Sequence, residues 1–283
     1  MKVLLALAVL ATSATSFAAD RDLYDIMYLP SAGTTFGISE LEYIKNDVES
    51  DAGDSENSGY GLTQTVGHSF TDRLSVAASL GYRNLEFDPE VGSKTEQTGI
   101  TDPTISARFR TMDETARWDI VGGALISVMD SELESNGDTD NLQGGHALFV
   151  GTQFGTKTES FQWAVLGQLK HNMERTIDVS GFGDADYDAN NELLVRGDIL
   201  NKLAEKSFLR SFVSVNFVEK LKSDDAGDTA PITTSTLGTE YQHLCKKDLL
   251  LRGGVDYAMN NYDSATVDSD NVWTFRVAAN YQF

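Results

Sequence analysis

Near the carboxyl terminus, polar and apolar residues alternate without a break. Thr274, Arg276, Ala278, Asn280 and Gln282 form one row; Trp273, Phe275, Val277, Ala279, Tyr281 and Phe283 form the other. Successive side chains of a β-strand point to opposite faces, so this segment predicts a strand with one wet and one greasy face. The same period of two recurs along the chain. It predicts twelve strands, near 34–45, 59–70, 73–87, 99–110, 115–128, 143–156, 160–171, 190–202, 207–220, 231–243, 248–258 and 271–283. Leu74, Val76, Ala78, Leu80 and Tyr82 oppose Ser75, Ser79 and Arg83; Trp118, Ile120 and Ala124 oppose Arg117 and Asp119. Phe161, Trp163 and Val165 oppose Gln162 and Gln168, and Leu249, Leu251, Val255 and Tyr257 oppose Arg252 and Asp256. The first and tenth strands alternate less cleanly.

The connections fall into two classes that take turns. Five are short: FTDRL, TMDETA, TKTES, LAEKS and LCKKD. Six are longer and acidic, such as NDVESDAGDSENS and MDSELESNGDTDNL, and together these six carry the whole formal charge of −21. A soluble sandwich gives no reason for loop length and charge to alternate by parity. A sheet that crosses a bilayer must close on itself, because hydrocarbon leaves no partner for an unpaired edge. An even strand number then puts both termini and the tight turns on one side and the long loops on the other. The predicted fold is all-β: a twelve-stranded antiparallel up-and-down transmembrane β-barrel, with its apolar rows against lipid.

The amino terminus supports export. Lys2, the apolar run from Val3 to Ala11 and the small residues Ser16 and Ala18 read as a secretory signal peptide over residues 1–19, leaving 20–283 as a single barrel domain. Cys245 is the lone cysteine, so no internal disulfide is available. The strong acidity argues against nucleic acid as a partner.

Facing inward, the polar rows would collect Arg83, Arg108, Arg110, Arg117, Lys170, Arg196, Lys202, Arg210, Arg252 and Arg276. Against them stand Glu40, Glu42, Asp102, Asp119, Glu192, Asp198, Glu240 and Asp256. A lumen of mixed charge can be knitted together by Arg–carboxylate forks, and the same groups can bias which solutes pass. About eight strands leave an interior filled by side chains and 16–18 leave an open channel, so twelve predict a narrow path.

Catalysis finds little support. A nucleophile and its base must lie within hydrogen-bond reach, and none of His68, His146, His171 and His243 is followed by Ser two residues on, on the same strand face. The acidic runs around Asp184, Asp186 and Asp188 and around Asp268, Ser269 and Asp270 offer oxygen ligands but lack EF-hand spacing. No cofactor or metal motif is predicted. Solvated loops are the expected reading of these runs, with divalent ions bridging them to lipopolysaccharide phosphates as the alternative.

Two resemblances add to this reading. Arg276, Ala278, Tyr281 and Phe283 resemble the β-signal of bacterial outer-membrane proteins, with Ala where Gly is commoner. The resemblance implies recognition by the barrel-assembly machinery and residence in the outer membrane of a Gram-negative bacterium, among lipid and lipopolysaccharide. TGITDPTISARFR, with Gly99, Asp102, Pro103 and Arg108, is similar to a pattern in the barrel family associated with the meta-pathway of phenol degradation. That likeness implies movement of aromatic or apolar solutes. The expected function is passive diffusion of small solutes through a narrow lumen lined by Arg and acids. The rival is a non-conducting structural or surface-binding barrel that uses its acidic loops.

Overall fold

The computed structural model describes residues 22–283, apart from 51–52, 91–92, 129–130, 134–137, 141–144, 159, 180–182, 224–227 and 264–266. The segment expected to be a signal peptide, residues 1–19, lies outside the described residues. Sixteen strands follow in chain order. They are β1 (Thr35–Ser50), β2 (Ser55–Thr71), β3 (Leu74–Pro89), β4 (Thr95–Ile100), β5 (Thr104–Asp113), β6 (Ala116–Leu125), β7 (Ser131–Leu133) and β8 (Ala147–Lys157). Then come β9 (Phe161–Asn172), β10 (Arg175–Val179), β11 (Gly183–Tyr187), β12 (Asn190–Ala204), β13 (Ser207–Val218), β14 (Ile232–Lys246), β15 (Leu249–Tyr262) and β16 (Val267–Gln282).

Twelve of these make a closed antiparallel wall, β1-β2-β3-β5-β6-β8-β9-β12-β13-β14-β15-β16. The seam is zipped from Phe36↔Gln282 up to Ser50↔Val267, so the first and last strands leave no free edge between them. Burial runs opposite to that of a soluble protein. Val277 is 64% exposed and Leu237 61%, whereas Asp119 is 0%, Arg110 1% and Asp198 3%. Aliphatic side chains bare on the outside and charges shut inside are what a lipid-facing wall requires. On β2, Phe70 and Tyr60 bracket the outward row, ten residues apart, close to the ~9–11 residues of a tilted membrane strand. Trp118, Phe154 and Phe161 continue the band at the turn end, and Tyr43, Tyr82 and Trp273 at the loop end.

Two differences from the sequence reading have physical causes. The strand expected at 99–110 is broken at Thr101–Pro103 into β4 and β5. Pro103 has no N–H to donate, and Gly99 takes a φ of +137°. Beyond the break, β4 stays bonded to β3 from Tyr82↔Ile100 to Phe87↔Thr95. The chain after β6 leaves the wall, with Ile126 donating to the Pro103 carbonyl at 2.9 Å. The loops also hold the unforeseen strands β7, β10 and β11, which pair as a small separate sheet. These strands belong to the loops and not to the wall, so their residues need not alternate in polarity and the period-two signal is lost.

Candidate functional site

Residues 22–34 precede β1 and fold back into the barrel at the end closed by the short turns. The run DLYDIMYLP is amphipathic in a compact way. Leu23, Met27 and Leu29 are 3%, 2% and 1% exposed, and Tyr24 stacks on Phe208 at 3.8 Å between ring centroids. Its polar groups reach the wall. Asp22 takes a 2.8 Å ion pair from Lys157, and Asp25 pairs with both Lys157 (3.3 Å) and Arg117. Ile26 N–H donates to Gln162 Oε1 at 3.1 Å, and Ala32 N–H to Asp72 Oδ1 at 3.0 Å. The carbonyl of Met27 accepts from Arg110, and that of Tyr28 accepts from Arg108 at 3.1 Å. Gly33 N–H donates to the Ser69 carbonyl at 2.7 Å, from a left-handed φ of +78° that favours glycine. Burial pushes the Asp22 carboxyl up, but Lys157 and the Tyr24 hydroxyl outweigh it and hold the group below the usual aspartate range. Burial, followed by the bond to Asp22, raises the Tyr24 phenol.

Apart from Lys202 and Asp102, the candidate lumen residues lie on the inward rows, in two tiers. Near the turns, Arg110 forks onto Asp119 at 2.8 and 3.0 Å, with both groups closed from solvent. Arg117 joins Asp113 at 3.3 Å as well as Asp25. Arg108 sits 3.9 Å from Asp119, whose two oxygens Arg110 already occupies. In the upper tier, Arg196 and Arg210 share Asp198, at 2.9 and 2.7 Å. Arg252 lies between Glu240 (2.9 Å) and Glu40 (3.3 Å), Arg276 pairs with Asp256, and Arg83 with Glu42 (2.9 Å). The Arg196 guanidinium lies 3.7 Å over the Phe212 ring, a cation–π contact. Lys170 pairs with Glu192 at 2.9 Å. Lys202 is exposed at the turn end of β12, and Asp102 is buried at the wall break, 3.4 Å from Val128 N–H.

Among the described residues, two interior spaces stand out. A cavity of about 300 Å³ lies between the N-terminal segment and the wall. One of about 150 Å³ lies among Arg196, Arg210, Arg252 and Arg276. The sequence reading missed the segment that separates the first from the turn-end mouth. Its signal was an apolar set, Leu23, Met27, Leu29 and Pro30, placed just before the first strand without a period of two.

The remaining candidates stand elsewhere. Arg276 and Ala278 of the terminal strand point inward; Tyr281 and Phe283 stack on the outside at 5.1 Å. His243 Nδ1 lies 3.2 Å from Ser207 Oγ on the outer face, and neither is bonded to a carboxylate among the described residues. Asp186 accepts from Thr176, and Asp270 from Asn260 and Tyr262. The side chains of Asp184 and Asp268 lie outside the described residues.

A closed wall, a greasy exterior, a charged interior and an inserted N-terminal segment define a transmembrane barrel of the outer-membrane type. No family model matches the chain, and no curated protein matches it. Neither comparison shows the family likeness read at residues 98–110. Solved structures do match. The COG4313 outer membrane channel from Pseudomonas putida F1 is 12% identical, with a TM-score of 0.69 over 95% of this chain and 100% of that one. The translocator domain of the autotransporter NalP from Neisseria meningitidis is 14% identical, with a TM-score of 0.55 over 89% of each chain. At these identities the likeness is one of fold.

Proposed function

We propose that the protein is an outer-membrane channel through which small solutes diffuse, with residues 22–34 forming a stopper at the periplasmic end. One observation carries this reading: the mouth is closed by a segment that is not part of the wall, and space remains behind it. A barrel serving only as a support can fill its interior with wall side chains, as eight-stranded barrels do. Here the closing element adds no strand to the sheet. Beside its buried apolar anchors it is held by ion pairs and hydrogen bonds that water can replace. The space behind it is lined partly by apolar groups such as Val121 and Leu250 and partly by guanidinium groups. That mixture suits small amphipathic solutes better than large sugars.

Osmotic swelling of vesicles containing the refolded full-length protein tests the proposal. Small solutes should enter faster than into protein-free vesicles, and the rate should fall steeply with solute size. Swelling no faster than in empty vesicles, for every solute tried, would contradict it.

A further inference from the structure

We infer that the cavity between the N-terminal segment and the wall is a binding site for a small organic monocarboxylate, held by Arg108 and Arg210. This deepens the channel reading by naming a solute class, and rests on that reading for its biological meaning.

The charge arrangement makes the case. Asp119 spends both oxygens on Arg110, at 2.8 and 3.0 Å. Arg108 is left 3.9 Å from that carboxylate, and its one short hydrogen bond among the described residues goes to a neutral acceptor, the Tyr28 carbonyl at 3.1 Å. Its side chain stays 29% accessible, and it lines the cavity. Arg210 lines the same cavity and must share Asp198 with Arg196. The cavity lining thus carries the guanidinium groups of Arg108, Arg210 and Arg252 beside a single carboxylate, while Asp113, behind the lining, also pairs with Arg110. Of the three, Arg252 is already compensated by Glu40 and Glu240. The one carboxylate on the cavity lining is Asp25, and it is committed to Arg117 and Lys157. A carboxylate ligand suits this cationic lining, because the planar guanidinium offers it paired N–H donors.

The rest of the space defines the rest of the ligand. The volume of about 300 Å³ is at the small end for ligand pockets. Tyr24, Ile38, Val121 and Leu250 supply apolar surface beside the two cations. A compact ring or short alkyl chain bearing one carboxylate matches both halves; benzoate is the simplest probe. Its carboxylate would compete with the Tyr28 carbonyl for Arg108, so occupancy loosens one of the bonds that holds the stopper.

Calorimetric titration of the refolded full-length protein with benzoate and with benzamide tests this. The two share a ring and differ in charge. Benzoate should bind at least tenfold more tightly. Arg108→Gln and Arg210→Gln should each weaken benzoate at least tenfold while leaving benzamide unchanged; Lys94→Gln, in an exposed loop, should change neither. Heat-modifiable gel migration identifies variants that have kept the barrel. If either Gln variant fails to fold, the benzoate-to-benzamide ratio in the wild type and its loss at high salt decide the matter alone. Equal binding of the two probes, no binding of either, or unchanged benzoate affinity in folded variants would overturn the site. Because binding is read without conduction, a failed titration beside vesicles that swell removes the site and leaves the channel; the reverse removes the channel alone.

Discussion

Arg110 and Asp119 face each other across β5 and β6 in a two-bond fork, both sealed from solvent, and Arg110 reaches on to the Met27 carbonyl. The wall and the stopper thus meet at one buried guanidinium. Removing one partner of a buried pair strands the other charge, typically at a cost of about 3–5 kcal/mol. Arg110→Ala should lower barrel stability by about that much, measured by urea unfolding in vesicles. Replacing both residues with apolar ones of similar size should cost less than the single change.

The stopper should also loosen in acid. Asp22 has its carboxyl held below the usual range, chiefly by Lys157 against the opposing pull of burial. A depressed folded value means the ion pair contributes fully above the ordinary aspartate value near ~4, and is lost as pH falls through the lower folded value. The protection of the amides of residues 22–29, exchange rates being taken relative to the intrinsic rate at each pH, should therefore fall below about pH 4. Asp22→Asn should show lower protection already at neutral pH and a flatter pH dependence of that protection.

The greasy face can be checked with one charge. Val277 is 64% exposed and sits between Trp273 and Phe283 on the outward row of β16. Val277→Arg should cost about 2–4 kcal/mol of insertion stability, as a basic residue near the bilayer midplane does. In a soluble protein, a surface change of this kind would be close to neutral.

Close packing inside the lumen predicts a contrast between two glycines. A Cβ on Gly238 would overlap the Phe212 ring and the Asp256 carboxylate, whereas one on Gly197 meets nothing nearer than Val213 at 4.0 Å. Gly238→Ala should destabilise by about 1–3 kcal/mol and shift Phe212 from beneath Arg196. Gly197→Ala should leave the unfolding midpoint nearly unchanged.

What the sequence made legible follows from what the bilayer enforces. Every wall strand had to present apolar groups to lipid at alternate positions, so runs such as 273–283 and 74–83 announced both themselves and their inward rows. Outside the hydrocarbon that constraint lapses, so β7, β10 and β11 gave no periodic signal. The break at Thr101–Pro103 was hinted at by Pro103, but alternation continued on both sides of it. Parity could tell which way Arg108, Asp198 and Arg252 point, but not which carboxylate each would meet, because partners come from register and side-chain reach. The stopper was the largest omission. It is held by contacts to many strands, Gln162, Lys157, Phe208 and Ser69 among them, which no local pattern records.

Single-channel conductance in planar bilayers tests the central claim most directly, comparing the full-length barrel with one lacking residues 22–33. Both should migrate as folded barrels. The full-length protein should pass small, infrequent currents, and the shortened one a steady current several times larger. If the shortened barrel is folded, inserted and no more conductive than the full-length protein, the hollow behind the stopper is not a path across the membrane.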